Sequence, residues 1–181
     1  MKGHPGGMEH TGHMLSLSGL IPPAKILDMG AGKGEAVQYL LSLGYQPLGI
    51  DLSAPDRLSL IDNRGHGTQV LRGDFLNPPF EKDFFDGILS QCAFYVSGLP
   101  AKAFSIAYDL LKSGGILMLS DVCPRNTTLQ AMAEASGFTV LHFEDQTPAW
   151  KKYYIEAIWR GTEDCFPCNQ KMNYEMIICK K

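Results

Sequence analysis

The predicted fold of this chain is decided by residues 26–35, which read ILDMGAGKGE. A short apolar run ends at Asp28, and three glycines follow at alternate positions, from Gly30 to Gly34. Apolar residues then recur at a helical spacing, at Val37, Leu40, Leu41 and Leu43. A second apolar run ends at Asp51. The stretch therefore predicts a strand, a glycine turn, a helix and a second parallel strand, with a carboxylate at the end of each strand.

The glycine spacing and the two acids narrow the choice of ligand. Glycines at such a turn allow a ligand to lie against the backbone, beside N–H groups at the start of a helix. Asp28 would repel an anionic pyrophosphate, and the G-x-G-x-G spacing differs from both the dinucleotide and the phosphate-loop patterns, which disfavours a nicotinamide oxidoreductase. Asp51 stands at the offset of about 20 residues where an acid binds ribose hydroxyls. We therefore predict an adenosine ligand with a positive charge nearby.

On these residues, the chain resembles the class I S-adenosylmethionine-dependent methyltransferases, whose first motif is an acid followed by G-x-G-x-G after the first strand. The resemblance implies that the glycine turn faces the methionine part of the cofactor, that Asp51 holds the ribose, and that the segment after the fourth strand lies beside the methyl group. It also implies an adenine contact at Asp74 and Phe75, with an Asx turn as the alternative for Asp74. The implied cofactor-binding residues are Asp28, Gly30, Ala31, Gly32, Asp51, Leu52, Asp74, Phe75, Ser90 and Gln91.

The rest of the pattern predicts one doubly wound α/β domain over residues 1–181, a mostly parallel seven-stranded sheet with helices on both faces. Ser53, Pro55 and the apolar residues Leu58, Leu60 and Ile61 predict a helix after the second strand. Later strands are predicted at residues 68–71, 84–90, 116–120, 138–143 and 173–179, and later helices from residue 100, at 129–135 with Asn126 as N-cap, and at 150–159. The resemblance implies that the seventh strand is antiparallel and lies beside the fifth.

The composition is that of a globular protein with no preference for polyanions. Hydrophobic residues make up 45% of the 181 residues and charged residues 19%, and the formal net charge is −3. Acids and bases are interspersed, which argues against a nucleic-acid partner. The sequence shows neither a signal-peptide pattern nor a long apolar run, and its five cysteines lack a disulfide-framework spacing. We therefore predict a cytoplasmic protein with reduced thiols and no membrane partner, and the oligomeric state stays open.

Residues 1–20 are predicted to form an arm and a short helix that cover the site. Residues 1–13 are rich in glycine and histidine and offer little apolar surface, which favours a mobile segment. A helix is predicted at residues 10–20, where Met14, Leu15 and Leu17 would anchor it to the core. Closure of such a segment over a cofactor would exclude water.

Methyl transfer from a sulfonium depends mainly on alignment, and a general base is needed only when the acceptor atom carries a proton. The sequence therefore assigns no catalytic residue. His10, His13 and Tyr95 are the candidate bases, since the two histidines share a helical face and Tyr95 follows the fourth strand. Solvated histidines and a tyrosine ring packed in the core are the alternatives.

Cys165 and Cys168 form an isolated C-x-x-C pair in a predicted loop. A structural zinc site needs further ligands and a redox pair would open a helix, so we predict loop thiols and no metal site. The predicted function is that of an S-adenosylmethionine-dependent methyltransferase that acts on a small-molecule acceptor and releases S-adenosylhomocysteine. A cofactor-binding module without turnover, which assists a partner protein, is the alternative.

Overall fold

The computed structural model describes residues 6–55, 57–62, 65–161 and 172–181, and these residues form eight strands and five helices. The strands are β1 (Lys25–Met29), β2 (Gln46–Asp51), β3 (Arg57–Ile61), β4 (Gly67–Arg72), β5 (Phe85–Gln91), β6 (Leu111–Pro124), β7 (Thr139–Asp145) and β8 (Met172–Lys180). The helices are α1 (Gly7–Ser18), α2 (Glu35–Ser42), α3 (Pro100–Leu110), α4 (Leu129–Ala135) and α5 (Thr147–Trp159).

All eight strands join one sheet in the order β3-β4-β2-β1-β5-β6-β8-β7. The five central strands of this order, β4, β2, β1, β5 and β6, run parallel. In contrast, β3 is antiparallel to β4, and β8 is antiparallel to both of its neighbours. β8 lies beside β6, as the resemblance implied for the last strand. The predicted α/β fold is confirmed. The carboxyl ends of the parallel strands meet at one edge of the sheet, where ligands bind in folds of this class.

Helices cover both faces of the sheet and bury two apolar layers. On one face, Phe104 of α3 and Leu129 of α4 pack against the strands. On the other face, Met14 of α1 and Leu40 of α2 do the same. Burial of each such side chain contributes about 1.5–3 kcal/mol to folding, so the two layers fix the strand ends that form the site.

The prediction of a helix after β2 is wrong. Residues 57–61 form β3, which pairs with β4 as an antiparallel edge strand. Leu58 and Leu60 are two residues apart in the sequence, and this is the period of a strand rather than of a helix. Pairing with β4 also satisfies backbone N–H and C=O groups of this segment. The sheet therefore has eight strands rather than seven.

The position of α1 corrects the prediction for the first 20 residues. The helix begins at Gly7, so half of the segment predicted to be loose is helical. His10 and Thr11 are buried on its inner face, so the alternative of a solvated histidine does not describe His10. Met14 and Leu15 are buried as the predicted anchors. Residues 1–5 lie outside the described residues.

The bounds of α4 match the prediction but its N-cap does not, and α5 begins earlier than predicted. The N-cap of α4 is Thr128 rather than Asn126, because the Oγ1 atom of Thr128 accepts the N–H of Ala131 at 3.0 Å. α5 begins at Thr147, three residues before the predicted start, because the Oδ1 atom of Asp145 accepts the N–H of Thr147 at 2.9 Å. Side-chain acceptors of this kind satisfy the first N–H groups of a helix and so set where it begins.

Candidate active site

The N–H groups of the glycine turn after β1 form hydrogen bonds within the protein. The N–H groups of Gly30 and Ala31 donate to the carbonyl oxygen of Ile50 at 2.9 and 3.2 Å, and that of Gly32 donates to Oδ2 of Asp51 at 2.9 Å. Gly32 has a φ of +53°, and no atom of the described residues lies within 4 Å of the position that a Cβ would take there. The surface over Gly32 is therefore open to a ligand, but the turn offers few amide donors to a phosphate.

Asp28 lies at the end of β1, beside this turn, with 4% of its surface exposed. Within the described part of the chain, its carboxylate accepts no hydrogen bond. Burial, and secondarily the charge of Asp51, raises the pKa of Asp28 to about 7. A buried carboxylate without a partner costs free energy, and a cationic group on a ligand offsets this cost. The residue therefore fits a ligand that brings an ammonium group to the end of β1.

Asp51 lies at the end of β2 and is held by its neighbours. Its Oδ1 atom accepts the N–H and the hydroxyl of Ser53 at 2.7 and 2.6 Å, and its Oδ2 atom accepts the N–H of Gly32. Burial alone would raise the pKa of Asp51, but these hydrogen bonds outweigh it and lower the pKa below its ordinary value. Leu52 is 67% exposed beside this acid. A fixed, charged carboxylate next to open apolar surface suits ribose hydroxyls and a flat base.

Asp74 and Phe75 follow β4. The Oδ1 atom of Asp74 accepts the N–H of Leu76 at 2.8 Å, so the alternative of an Asx turn describes its local geometry, while its side chain stays exposed. Phe75 is buried and stacks on Phe94 with ring centroids 6.1 Å apart. Its Cε1 atom lies 3.9 Å from the position that a Cβ would take on Gly30. Phe75 is thus brought to the glycine turn.

Ser90 and Gln91 end β5 and have different surroundings. Ser90 is completely buried, and its hydroxyl donates to the carbonyl oxygen of Met29 at 2.7 Å. It therefore joins β5 to the end of β1 and presents no surface to a ligand. Gln91 is half-buried, and its Oε1 atom accepts the hydroxyl of Thr11 at 3.0 Å. This hydrogen bond places α1 against the end of β5.

Residues 92–95 form a turn that links β5 to the glycine turn. Cys92 has a φ of +60°, and its N–H donates to the carbonyl oxygen of Ser120 at 2.9 Å. Ala93 lies so close to Gly30 that a Cβ on the glycine would collide with the Cβ of Ala93. Gly30 itself has a φ of +87°, so both the conformation and the contact require glycine there.

Asp121, near the end of β6, was not predicted as a site residue from the sequence. It is 1% exposed, and its carboxylate accepts the N–H of Tyr95 at 3.0 Å and that of Val122 at 2.7 Å. Burial raises the pKa of Asp121 to about 6, although these N–H groups and that of Phe94 oppose the shift. The signal that identified Asp28 was an acid at the end of an apolar strand, and the same signal at Asp121 could have found it.

A cavity of about 430 Å³ opens between α1, the end of β7 and the start of α5. Its inner wall includes Trp150 and Tyr174, whose rings are stacked with centroids 6.1 Å apart and an interplanar angle of 4°. The hydroxyl of Tyr174 donates to Oγ of Ser120 at 3.1 Å and lies 3.5 Å from Sγ of Cys92. The side chain of Tyr174 therefore lies between the cavity and the turn that follows β5.

The three candidate bases lie near this cavity but differ in their contacts. His10 and His13 both line the cavity wall. His10 is only 7% exposed, whereas His13 is half exposed and its Nε2 atom pairs with Oε1 of Glu144 at 2.8 Å. Nε2 of His142 pairs with the same oxygen at 2.8 Å. Tyr95 packs behind the wall, in the cluster that contains Trp150 and Tyr174.

Neither a metal site nor a membrane span is formed by the residues that the structure describes. Within residues 6–55, 57–62, 65–161 and 172–181, no three histidine, cysteine or acidic side chains are arranged to hold a metal ion. No helix among these residues is long and apolar enough to cross a membrane. Cys165 and Cys168 lie outside the described residues, so their assignment as loop thiols stays a prediction.

A family model and two relatives of known sequence all identify the chain as similar to methyltransferases. Residues 27–119 match a family model described as "Methyltransferase domain". An uncharacterized methyltransferase of Geobacillus thermodenitrificans is 33% identical over 120 residues, which are 62% of this chain and 55% of that protein. The 18S rRNA (guanine-N(7))-methyltransferase of Bos taurus is 29% identical over 163 residues, which are 80% of this chain and 57% of that protein. The chain thus spans just over half the length of these relatives.

A solved structure shows the same fold. Phosphoethanolamine N-methyltransferase 2 of Haemonchus contortus, in complex with S-adenosyl-L-methionine, superposes with a TM-score of 0.73 over 98% of this chain and 53% of that chain, at 20% identity. The buried Asp28, the open glycine turn and the fixed Asp51 at the end of β2 are chemically compatible with the ammonium, methionine part and ribose of this cofactor. The family model covers more than half of the 181 residues. The chain therefore belongs to the class I S-adenosylmethionine-dependent methyltransferases.

Proposed function

We propose that this protein transfers a methyl group from S-adenosylmethionine to a small-molecule acceptor bound in the cavity between α1, β7 and α5. The observation that carries the proposal is the position of this cavity beside the turn that follows β5. Tyr174 lines the cavity and contacts Cys92, and the next residue, Ala93, lies against Gly30 of the glycine turn. An acceptor in the cavity would thus share one wall with the cofactor site.

The residues of the glycine turn would hold the cofactor. Asp28 would accept the ammonium of the methionine part, Asp51 the ribose hydroxyls, and Leu52 and Phe75 would flank the adenine. When bound, S-adenosylmethionine supplies a methyl group on a positively charged sulfur, and the electron pair of the broken C–S bond stays on sulfur in S-adenosylhomocysteine. The protein's own part is to align the acceptor atom with that methyl carbon and to exclude water.

His10 is the residue of this wall best placed to take a proton from an acceptor. It lines the cavity, is almost completely buried, and is carried by the same helix as Thr11, which contacts Gln91 at the end of β5. An acceptor nitrogen, oxygen or sulfur that carries a proton must lose it as the new bond to carbon forms. Tyr95 lies behind the wall and is placed to shape the cavity rather than to receive a proton.

The size and charge of the cavity favour a small acceptor over RNA. A volume of about 430 Å³ suits a metabolite, and the exposed side chains at its rim include the acids Glu9 and Asp145. A formal net charge of −3 provides no basic surface for a polyanion. We place the reaction in the cytoplasm, which is consistent with the free thiols of Cys92, Cys123 and Cys179.

The test is transfer of radioactive methyl groups from labelled S-adenosylmethionine. The protein is incubated separately with cell metabolites below about 1 kDa and with total RNA, and both pools are assayed for label. We expect label in the metabolite pool and release of S-adenosylhomocysteine. Label in RNA alone would refute the small-molecule proposal. Tight binding of S-adenosylhomocysteine without label in either pool would favour the module without turnover.

A further inference from the structure

The turn at residues 92–95 is anchored at two points, by the buried ring of Phe94 and by the N–H of Cys92, which donates to the carbonyl oxygen of Ser120. Cys92 adopts a left-handed conformation that is unfavourable for a residue with a Cβ. Yet this turn places Ala93 against Gly30 and places Phe94 in stacking contact with Phe75. Its position therefore sets one side of the proposed cofactor site, and hydrogen bonds to the N–H groups that follow Ala93 add to these two anchors.

We propose that Asp121 is a positioning residue for the cofactor site, because its carboxylate holds the turn at residues 92–95 against Gly30. The Oδ2 atom accepts the N–H of Tyr95 at 3.0 Å, and the N–H of Phe94 also bonds to this carboxylate. The Oδ1 atom accepts the N–H of Val122 at 2.7 Å, which fixes the orientation of the carboxylate on β6. Hydrogen bonds to a charged acceptor are the stronger kind, so one buried acid can hold a strained turn.

The surroundings of Asp121 give its role a dependence on pH. The carboxylate of Asp121 interacts electrostatically with the thiols of Cys92 and Cys123 and with the phenol of Tyr174. Glu175 lies opposite Asp121 on the neighbouring strand β8. Burial raises the pKa of Asp121 to about 6. As pH falls through that value the carboxylate gains a proton, one oxygen becomes a donor, and the bonds to the turn weaken.

Glu175 provides a matched control for Asp121. It is another buried carboxylate, 2% exposed, in the adjacent strand. Its Oε2 atom accepts the N–H of Leu129, at the start of α4, at 2.8 Å. Glu175 thus supports a helix start rather than the turn after β5. Loss of its charge should affect folding but not the contact of Ala93 with Gly30.

The experiment measures S-adenosylhomocysteine affinity by calorimetry, and amide hydrogen exchange at Tyr95, in wild type, Asp121→Asn and Glu175→Gln. The inference rests on the cofactor site of the proposed function, so wild type is measured first. Failure of wild type to bind would refute that site itself. We expect Asp121→Asn to bind about tenfold more weakly and to exchange the Tyr95 amide at least tenfold faster, and Glu175→Gln to match wild type in both.

Two results would overturn the inference. One is affinity within twofold of wild type in Asp121→Asn. The other is an equal loss in both variants, because a general loss of folding would explain it. If Asp121→Asn does not fold, amide exchange of the wild-type protein at different pH values provides the test. The protection factor of the Tyr95 amide must then decrease as pH falls through about 6, and constant protection between pH 5 and 8 would overturn the proposal.

Discussion

Asp28 destabilises the fold that it serves, because its carboxylate is buried at the end of β1 without a hydrogen bond from the described residues. Its pKa rises from 3.8 to about 7, so the stability that is fully present below pH 4, where the carboxyl is neutral in both states, is lost as pH rises through 7. A pKa difference of one between the folded and unfolded states corresponds to about 1.4 kcal/mol, which sets an upper limit of roughly 4 kcal/mol at pH 8. We expect Asp28→Asn to raise the free energy of unfolding at pH 8, and by much less at pH 4. Urea denaturation at both pH values measures this.

The same variant should lose cofactor affinity, which separates the two roles of Asp28. The uncharged amide cannot pair with an ammonium, so we expect S-adenosylhomocysteine to bind about tenfold or more weakly at pH 8. In wild type, binding should release a proton near pH 7, because the ligand's positive charge favours the ionised carboxylate. A variant that is both less stable and unchanged in affinity would contradict the proposed ammonium contact.

Asp51 differs from Asp28, because hydrogen bonds stabilise its charged form and lower its pKa. Asp51→Ala would remove the proposed partner of the ribose hydroxyls, and we expect a cost of about 1.5–3 kcal/mol, or roughly ten- to a hundredfold in cofactor affinity. It would also release Gly32 and Ser53, so some stability is lost as well. Ser53→Ala is the control, because it removes one hydrogen bond but keeps the carboxylate. Calorimetry that shows equal loss in the two variants would argue against the ribose contact.

His10 allows a test of proton removal. His10→Gln keeps a polar side chain in the cavity wall but removes the titrating group, so we expect turnover to fall by about a hundredfold while S-adenosylhomocysteine affinity stays within a factor of about two. His13→Gln is the matched control on the same helix, since His13 is exposed and paired with Glu144. Equal turnover in wild type and His10→Gln would remove His10 from the mechanism.

Single residues were predictable where a motif fixed the backbone. The glycine turn and the acids at the ends of β1 and β2 could be found because their spacing alone puts them together. Asp121 could not be linked to the turn after β5, because that hydrogen bond joins two segments 26 positions apart in the chain. The burial of His10 could have been predicted, because it lies one helical turn before the anchor Met14 and so shares its face of α1.

At the scale of elements, α1 is the test of the proposed cover. Deletion of residues 1–13 removes half of this helix together with the buried His10 and Thr11. We expect a melting temperature lower by several degrees, because about 1–3 kcal/mol of burial is lost, and turnover reduced far more than cofactor affinity. Deletion of residues 1–5 keeps α1 complete and is the control. Full turnover after the longer deletion would show that α1 does not complete the acceptor site.

Elements with a strong period and clear end signals were predicted, and β3 shows where this approach fails. A good N-cap and a nearby proline precede residues 57–61, which favoured a helix. The edge of β4 provided hydrogen-bond partners that only the assembled sheet reveals. Tertiary pairing therefore overrode the local signals, as it often does for short segments.

At the scale of the molecule, the pair Cys165 and Cys168 decides whether a metal contributes to stability. We predict that the purified protein contains no stoichiometric zinc and that a chelator leaves its melting temperature unchanged, because structural zinc contributes folding free energy directly. Atomic emission and a thermal melt measure the two quantities. One zinc per chain, with a lower melting temperature after chelation, would reverse this prediction.

The fold as a whole was predictable because alternating strands and helices allow few arrangements. The proposed acceptor site was not, because the walls of its cavity come from α1, α5 and β8, and α1 is far from the other two in the sequence. The motif therefore identified the cofactor, whereas the cavity became visible only in three dimensions.

The insertion of β8 between β6 and β7 has a consequence for biosynthesis. A nascent chain that has left the ribosome only as far as residue 161 contains β7 but not the strand that joins β7 to the sheet. Until β8 emerges, β6 presents an unpaired edge that can associate with other chains. Tyr174 also belongs to β8, so the cavity wall forms at the same late step. A chain that has emerged no further than residue 161 would therefore expose the edge of β6 and lack the proposed acceptor site, and a peptide of residues 172–181 supplied in trans would test whether β8 completes both.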